Sequence, residues 1–321
     1  MLLSERIYNM AKKSLRHEYG KHLVEMGKKY PNLVALEADL KESTQSVQFE
    51  QSYPERYLQV GIAEQNMTGI AAGLALGGKI PITHSFACFT SMRSCEQVRT
   101  SVAYPRLNVK FYVSHGGISP GTAGTTHHAI EDIAIMRAIP NMTVLVPGDA
   151  KEVRQVLEAA LEYDGPVYIR LGAGDAEDVY GENDNFSIGK ATYLRPGNDA
   201  TIITAGTLMY EGTSASDILL KEHGIKARVL QIASIKPIDR EAVIRAAEET
   251  GNIITVEEHN IIGGLGSAVS EIVAEIGKGK VKRIGIRDHF CGVGSAAYLM
   301  REEGLTVENI MNLVLVRDDC K

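Results

Sequence analysis

The chain has no tryptophan, and only six phenylalanines occur in its 321 residues. An aromatic pocket must therefore be built from few rings, and where they fall is informative. Cysteine is equally scarce: Cys88, Cys95, Cys291 and Cys320 stand at spacings that fit neither a zinc site nor a redox pair. Reduced thiols of a cytoplasmic protein are expected, with no disulfide framework and no metal ligands from this chain. No basic stretch runs along the sequence and the net charge is −6, which argues against a nucleic-acid partner. Long apolar runs are missing too. Glu5, Arg6, Lys12, Lys13, Arg16 and Glu18 break up the first 20 residues, so neither a signal-peptide core nor a membrane partner is expected.

What is present is alternation. With 44% apolar residues the chain can bury two α/β cores. Short β-rich runs at Val34 to Leu36, Leu58 to Val60, Ile80 to Thr83, Val109 to Val113, Thr143 to Val146 and Val167 to Ile169 are separated by helix-length stretches. That order predicts a doubly wound parallel sheet. Asp149 followed by Glu152 predicts a capping box opening a helix that carries Val153, Val156 and Leu157. From residue 176 to 196 the composition turns to Gly, Asp, Glu and Asn, which reads as a linker. A first α/β domain over 1–175 and a smaller one over 197–321 follow, the second with strands at Ala200 to Thr204, Ala227 to Ile232, Ile253 to Val256 and Val281 to Ile286.

Several candidate residues fall beyond strand ends, where open α/β sheets form ligand crevices. Glu64, in Gly61-Ile62-Ala63-Glu64-Gln65-Asn66-Met67, opens a helix rich in small residues. It either complements the helix dipole, worth a few tenths of a kcal/mol, or does proton chemistry in a crowded site. Phe86 and Phe89, in His84-Ser85-Phe86-Ala87-Cys88-Phe89-Thr90-Ser91-Met92, place two of the six phenylalanines together, either as core or as a stack for a flat ligand. His115 and His127-His128 again follow strands, suited to acid-base work. Arg170 ends a strand, where it would clamp a phosphate or pair with a carboxylate. Gly292-Val293-Gly294 fits a dinucleotide fingerprint only superficially, since the chain ends before the acidic residue expected about 20 positions on.

Taken in order, these segments resemble the carboxyl-terminal half of transketolase, from Arg16 to the end. The resemblance implies a pyrimidine-binding domain followed by a transketolase C-terminal domain, and the cofactor thiamine diphosphate. Glu64-Gln65 matches the step whose glutamate shares a proton with the cofactor's aminopyrimidine. Phe86, Phe89 and Met92 match the aromatic pocket, with Met92 where tyrosine is usual. Asp39, in Leu36-Glu37-Ala38-Asp39-Leu40, is similar to a cofactor-proximal aspartate. Arg16, Ser43, His115 and Arg170 resemble phosphate-recognising positions, and His127 resembles a histidine that contacts the sugar's first hydroxyls. Gln231 to Asp239, Gly263 to Ser267 and Phe290-Cys291-Gly292 are transketolase-like in the second domain.

Two departures from the family shape what is expected. Ala123 stands four residues before His127, where the family carries an aspartate that bonds the acceptor's hydroxyl. Losing such a bond costs about 1–3 kcal/mol, so an unusual ketose, branched or sulfonated, is set beside ordinary two-carbon exchange between anionic sugars. The family's amino-terminal diphosphate and metal domain is also missing. The resemblance therefore implies a split enzyme of carbohydrate metabolism, two of each chain, whose partner subunit holds most of the Mg2+ or Ca2+ and the diphosphate. Deoxyxylulose-phosphate synthases, 2-oxo-acid dehydrogenase β subunits and a non-catalytic regulatory subunit are the alternatives.

Overall fold

In a computed structural model that describes residues 12–316, the alternation resolves into two large sheets, beside a short pairing of Lys13–Ser14 with Asp175–Ala176; Cys320 lies outside the described residues. Leu33–Glu37 (β1), Tyr57–Gln59 (β2), Ile80–Phe86 (β3), Lys110–Ser114 (β4), Thr143–Leu145 (β5) and Val167–Arg170 (β6) pair in parallel. All but β2 are buried along their whole length. Helices cover both faces of such a sheet, so its strands read as unbroken apolar runs. The helices that carry or brace the site are Leu15–Lys29 (α1), Glu64–Leu76 (α2), Ala87–Arg93 (α3), Asp132–Ala138 (α4) and Ala150–Glu162 (α5). The second sheet contains Thr192–Arg195 (β7), Ala200–Thr204 (β8), Ala227–Gln231 (β9), Asn252–Asn260 (β11) and Lys280–Ile286 (β12), in the order β12-β11-β8-β9-β7.

Ser234–Lys236 (β10) does not join the second sheet, although it follows β9 at once. It returns to pair antiparallel with β5, so the first sheet runs β10-β5-β6-β4-β3-β1-β2. Three residues of the second half thus complete the sheet of the first. The Lys236 ammonium fixes this edge by donating to the carbonyls of Arg137 at 2.8 Å and Ile139 at 2.5 Å.

The segment expected to be linker is tied down rather than free. β7 lies within it, Ala176 pairs with Lys13, and the amides of Val179 and Tyr180 donate to Asp149 Oδ2 at 2.9 and 2.7 Å. Its polar residues serve hydrogen bonds across the junction. Asp149 caps α5 as the sequence predicts, accepting from Glu152 N at 2.8 Å. The second half of the capping box differs. Glu152 Oε2 accepts from Gly148 N at 2.7 Å and from the Gln231 amide at 2.9 Å, while Tyr180 donates to Oε1. The carboxylate serves the domain junction instead of its own cap.

Arg170, at the end of β6, is buried against buried Asp132. Its Nε donates to Asp132 Oδ2 at 2.8 Å, and its Nη2 donates to the carbonyls of Ala129 and Glu258 at 3.1 and 3.0 Å. Removing one partner of a buried pair strands the other charge. Arg170→Met is therefore expected to lower the unfolding free energy by about 3–5 kcal/mol in urea titrations. Burial also pushes the Glu152 carboxyl up to about 7. The folded protein then holds that proton more tightly than the unfolded chain. Its contribution is complete below the unfolded value of about 4.3 and is lost as pH rises through about 7. The urea midpoint should fall between about pH 6 and about pH 8, less steeply in Glu152→Gln.

Candidate active site

The candidate residues converge at the carboxyl edge of the parallel sheet. Phe86 ends β3 and precedes α3, which carries Phe89 one turn on. His115 follows β4 in a left-handed backbone conformation, φ 62°, which turns its ring back over the sheet edge. It stacks on Phe86 with centroids 3.7 Å apart and planes 23° apart. Phe86 and Phe89 lie 5.6 Å apart, and His127 meets them edge-on at 6.1 and 5.5 Å. Phe86, Phe89, His115 and His127 thus form one ring cluster, while His128 is buried, bonded to the Gly121 carbonyl.

Glu64 opens α2 and is 3% exposed. Its Oε1 accepts from Ser85 Oγ at 3.1 Å, a hydroxyl presented by β3. Arg93 Nη1 reaches both carboxylate oxygens, at 3.2 and 3.3 Å, and its guanidinium carbon lies 3.9 Å from the centre of the Phe89 ring. Sequence reasoning missed Arg93. The available signal was its spacing of four from Phe89, which puts both on one helical face. Met92 is the most open of the aromatic-pocket positions, with 51% of its surface exposed. The small residues of α2 divide: Ala71 and Ala72 are buried, but Gly69 and Gly73 face open space.

Beside the rings, a loop is organised by Glu37, another residue the sequence did not single out. This buried carboxylate accepts from the amides of Ala38 and Leu40, both at 3.0 Å, and from the hydroxyls of Thr44 and Ser46 at 2.8 and 2.5 Å. Burial raises it to about 7 in spite of these donors. The result is a fixed 38–46 loop, with Asp39 exposed at φ 64°. Ser43 enters through its carbonyl, which accepts from Nη1 of Arg16, in the first turn of α1, at 2.7 Å. Arg16 Nε is buried without a partner, so the guanidinium retains capacity for an anion. Burial, helped by the Arg16 and His127 charges, lowers His115 to about 3. It is therefore neutral at physiological pH and able both to donate and to accept.

Of the two roles open to Arg170, the structure shows pairing with a carboxylate: its Nε and Nη2 meet Asp132 and two carbonyls behind Gly116, and so brace the loop that carries His115. Glu258 and His259 likewise serve the domain junction, where Glu258 Oε1 accepts from Ile118 N at 2.8 Å and His259 Nε2 accepts from Ala134 N at 3.3 Å, whereas Glu257 accepts from Leu265 N and Gly266 N within the second half. Among the described residues, the only trio with metal-ligand geometry is His289, Cys291 and Glu303, with donor atoms within 4.8 Å of one another. It is satisfied internally, since His289 Nε2 hydrogen-bonds Glu303 at 3.0 Å and burial pushes the Cys291 thiol up to about 12.

The pyrimidine-binding domain of transketolase matches residues 11–176, and the transketolase C-terminal domain matches residues 189–310. The chain belongs to the transketolase family. It is 46% identical to the 6-deoxy-6-sulfo-D-fructose transketolase subunit SqwH of Clostridium sp. strain MSTE9, covering 92% of each chain. It is 41% identical to an apulose-4-phosphate transketolase subunit of Phocaeicola vulgatus, covering 94% of this chain and 96% of that one. A split-gene transketolase solved as an inactive β4 tetramer superposes with a TM-score of 0.86 at 42% identity, over 95% of this chain and 97% of that one. The chain thus carries the two domains of a transketolase carboxyl-terminal subunit, and is similar along nearly its whole length to subunits of split transketolases, which are transferases. No helix among the described residues is long and apolar enough to cross a membrane.

Because burial and Arg16 both hold His115 down, Arg16→Met should raise its titration point. In nitrogen-15 spectra the wild-type ring should stay neutral from about pH 5 to about pH 8. Protonation of the wild-type ring within that range would contradict the assigned environment.

Proposed function

We propose that this subunit supplies the aminopyrimidine and sugar contacts of a thiamine-diphosphate-dependent transketolase that moves a two-carbon ketol unit from an unusual anionic ketose. The observation that carries this reading is the buried Glu64 carboxylate beside the open face of Phe89, a slot of the right chemistry for a flat, nitrogen-rich ring. A planar cation, the Arg93 guanidinium, already fits it. Thiamine diphosphate, when bound, supplies the carbon nucleophile of the reaction.

The chain's own residues have distinct tasks in this reading. Glu64 holds a proton at the pyrimidine nitrogen, with Ser85 fixing the carboxylate's orientation. Phe89 offers a stacking face, backed by Phe86. Neutral His115, with His127 beside it, orients the ketose hydroxyls through hydrogen bonds. Arg16, held by the Ser43 carbonyl, faces the anionic end of the sugar. Asp39 lies at the cofactor's margin. The diphosphate and its Mg2+ belong mainly to an amino-terminal partner subunit, in a cytoplasmic assembly of two plus two chains. Support for self-association comes from the face of α2, where Gly69 and Gly73 stand open near exposed Leu76.

The substrate reading rests on Ala123 and on the relatives. Ala123 is exposed in the loop before His127 and has no polar group for an acceptor hydroxyl. The two relatives are named for a sulfonated ketose and a branched ketose phosphate, anions that Arg16 could meet at one end. Steady-state ketol transfer should be measured with this chain alone and with the amino-terminal subunit. Donors would be xylulose 5-phosphate, 6-deoxy-6-sulfo-D-fructose and apulose 4-phosphate. Turnover is expected only in the mixture and fastest with one of the last two. Preference for xylulose 5-phosphate would return the enzyme to ordinary pentose exchange. Glu64→Ala in the mixture should lower kcat by about 10²–10⁴-fold, and full turnover would remove Glu64 from proton transfer.

A further inference from the structure

We propose that Arg93 is a built-in occupant of the pyrimidine slot: without cofactor its guanidinium lies against Glu64 and Phe89 where the aminopyrimidine binds, and loading displaces it. This rests on the thiamine diphosphate reading above.

The two contacts of Arg93 are the two that the slot offers a flat, nitrogen-rich ring. Nη1 donates to both Glu64 oxygens, at 3.2 and 3.3 Å, and the guanidinium carbon sits 3.9 Å from the Phe89 centroid. A guanidinium is planar and delocalised, with N–H donors in its plane and a face that stacks on aromatic rings. An aminopyrimidine presents the same combination of a ring face and in-plane nitrogens. One carboxylate and one ring face cannot give both ligands these contacts at once.

Burial explains why the slot needs an occupant. Glu64 is 3% exposed, and a buried carboxylate lacking a counter-charge or sufficient donors is strongly disfavoured. Ser85 supplies one donor; the positive charge comes from Arg93. The arginine is also free to leave, because its side chain keeps 49% of its surface exposed. It borders a cavity of about 640 Å³ lined also by Ile62, Ala63, Gln65 and Asn66, which gives the displaced side chain room. Arg93 therefore keeps Glu64 satisfied in the empty subunit at the cost of weaker apparent cofactor binding.

The test uses the reconstituted two-subunit complex with Arg93→Met, which keeps length and apolar bulk but removes charge and donors. Thiamine diphosphate affinity is measured by calorimetry with Mg2+ and no sugar, and thermal midpoints are taken with and without cofactor. Displacement predicts that Arg93→Met binds thiamine diphosphate about 3–10-fold more tightly and has a lower midpoint when empty. Its midpoint should then rise more on loading than that of wild type. Weaker binding would make Arg93 a contact of the loaded site, and unchanged affinity would make it a surface residue; either overturns the proposal. If Arg93→Met does not fold, Arg93→Lys keeps the charge without the flat stacking group. It is expected to bind more tightly than wild type, and equal or weaker binding overturns the proposal. Failure of the wild-type complex to bind thiamine diphosphate would instead remove the functional reading itself.

Discussion

A guanidinium is tolerated in a protein interior only when its charge and donors are matched, and the matching of Arg170 sets the geometry of the sheet edge that carries the candidate site. Its Nε meets Asp132, the first residue of α4, while Nη2 meets the carbonyls of Ala129 and Glu258. Those partners come from the loop behind His127, from α4 and from β11 of the second sheet. The side chain itself packs so close to Gly116 that a Cβ there would stand 2.7 Å from Nε. One buried cation thus holds the His115 loop, the His127 loop and the second domain in register.

The junction has a second fastening at β10. A strand of three residues contributes little pairing by itself, but it puts the Lys236 ammonium onto the carbonyls ending α4. Glu152 closes the same junction through Gln231 and Gly148. The two halves are therefore joined by buried polar contacts as well as by an apolar cluster that runs from Val144 and Val146 to Leu230 and Ile232. Such contacts are demanding about geometry and leave little freedom for domain rocking. On the proposed reading, in which a partner subunit shares the cofactor, a preformed half-site lowers the ordering cost of assembly.

Much of the candidate site's placement was legible because strand ends are legible. Glu64, Phe86, His115 and Arg170 each follow an apolar β run closely, and open α/β sheets gather such positions at one edge. What a strand end does not reveal is which way a long side chain turns. Arg170 at the end of β6 was open to a phosphate or a carboxylate, and Arg93 at the end of α3 was not singled out; the fold pairs the first with Asp132 and brings the second to Glu64. Glu37 gave no sign beside its neighbour Asp39, because local sequence does not show which of two carboxylates a loop will close around. β10 was invisible for another reason. Its partner β5 lies some ninety positions earlier, and pairing at that range leaves no local periodicity to read.

On the proposed two-chain reading, an active site divided between subunits meets a problem that a single chain does not meet as acutely. Each subunit must fold with its half of the site incomplete, yet buried charge has to be satisfied during that interval as well. Glu37 is satisfied by its own loop and Arg170 by Asp132, so neither depends on a ligand. On the proposed reading Glu64 is not satisfied so permanently, because it is to be available to a ring nitrogen. A long, half-exposed cation anchored by a weak stacking contact meets both conditions: it supplies charge when the slot is empty and leaves for a modest penalty when it is filled. Lysine would supply charge without the flat face, and a rigid backbone donor could not withdraw. The chemistry of an arginine four residues beyond Phe89 follows from those two requirements.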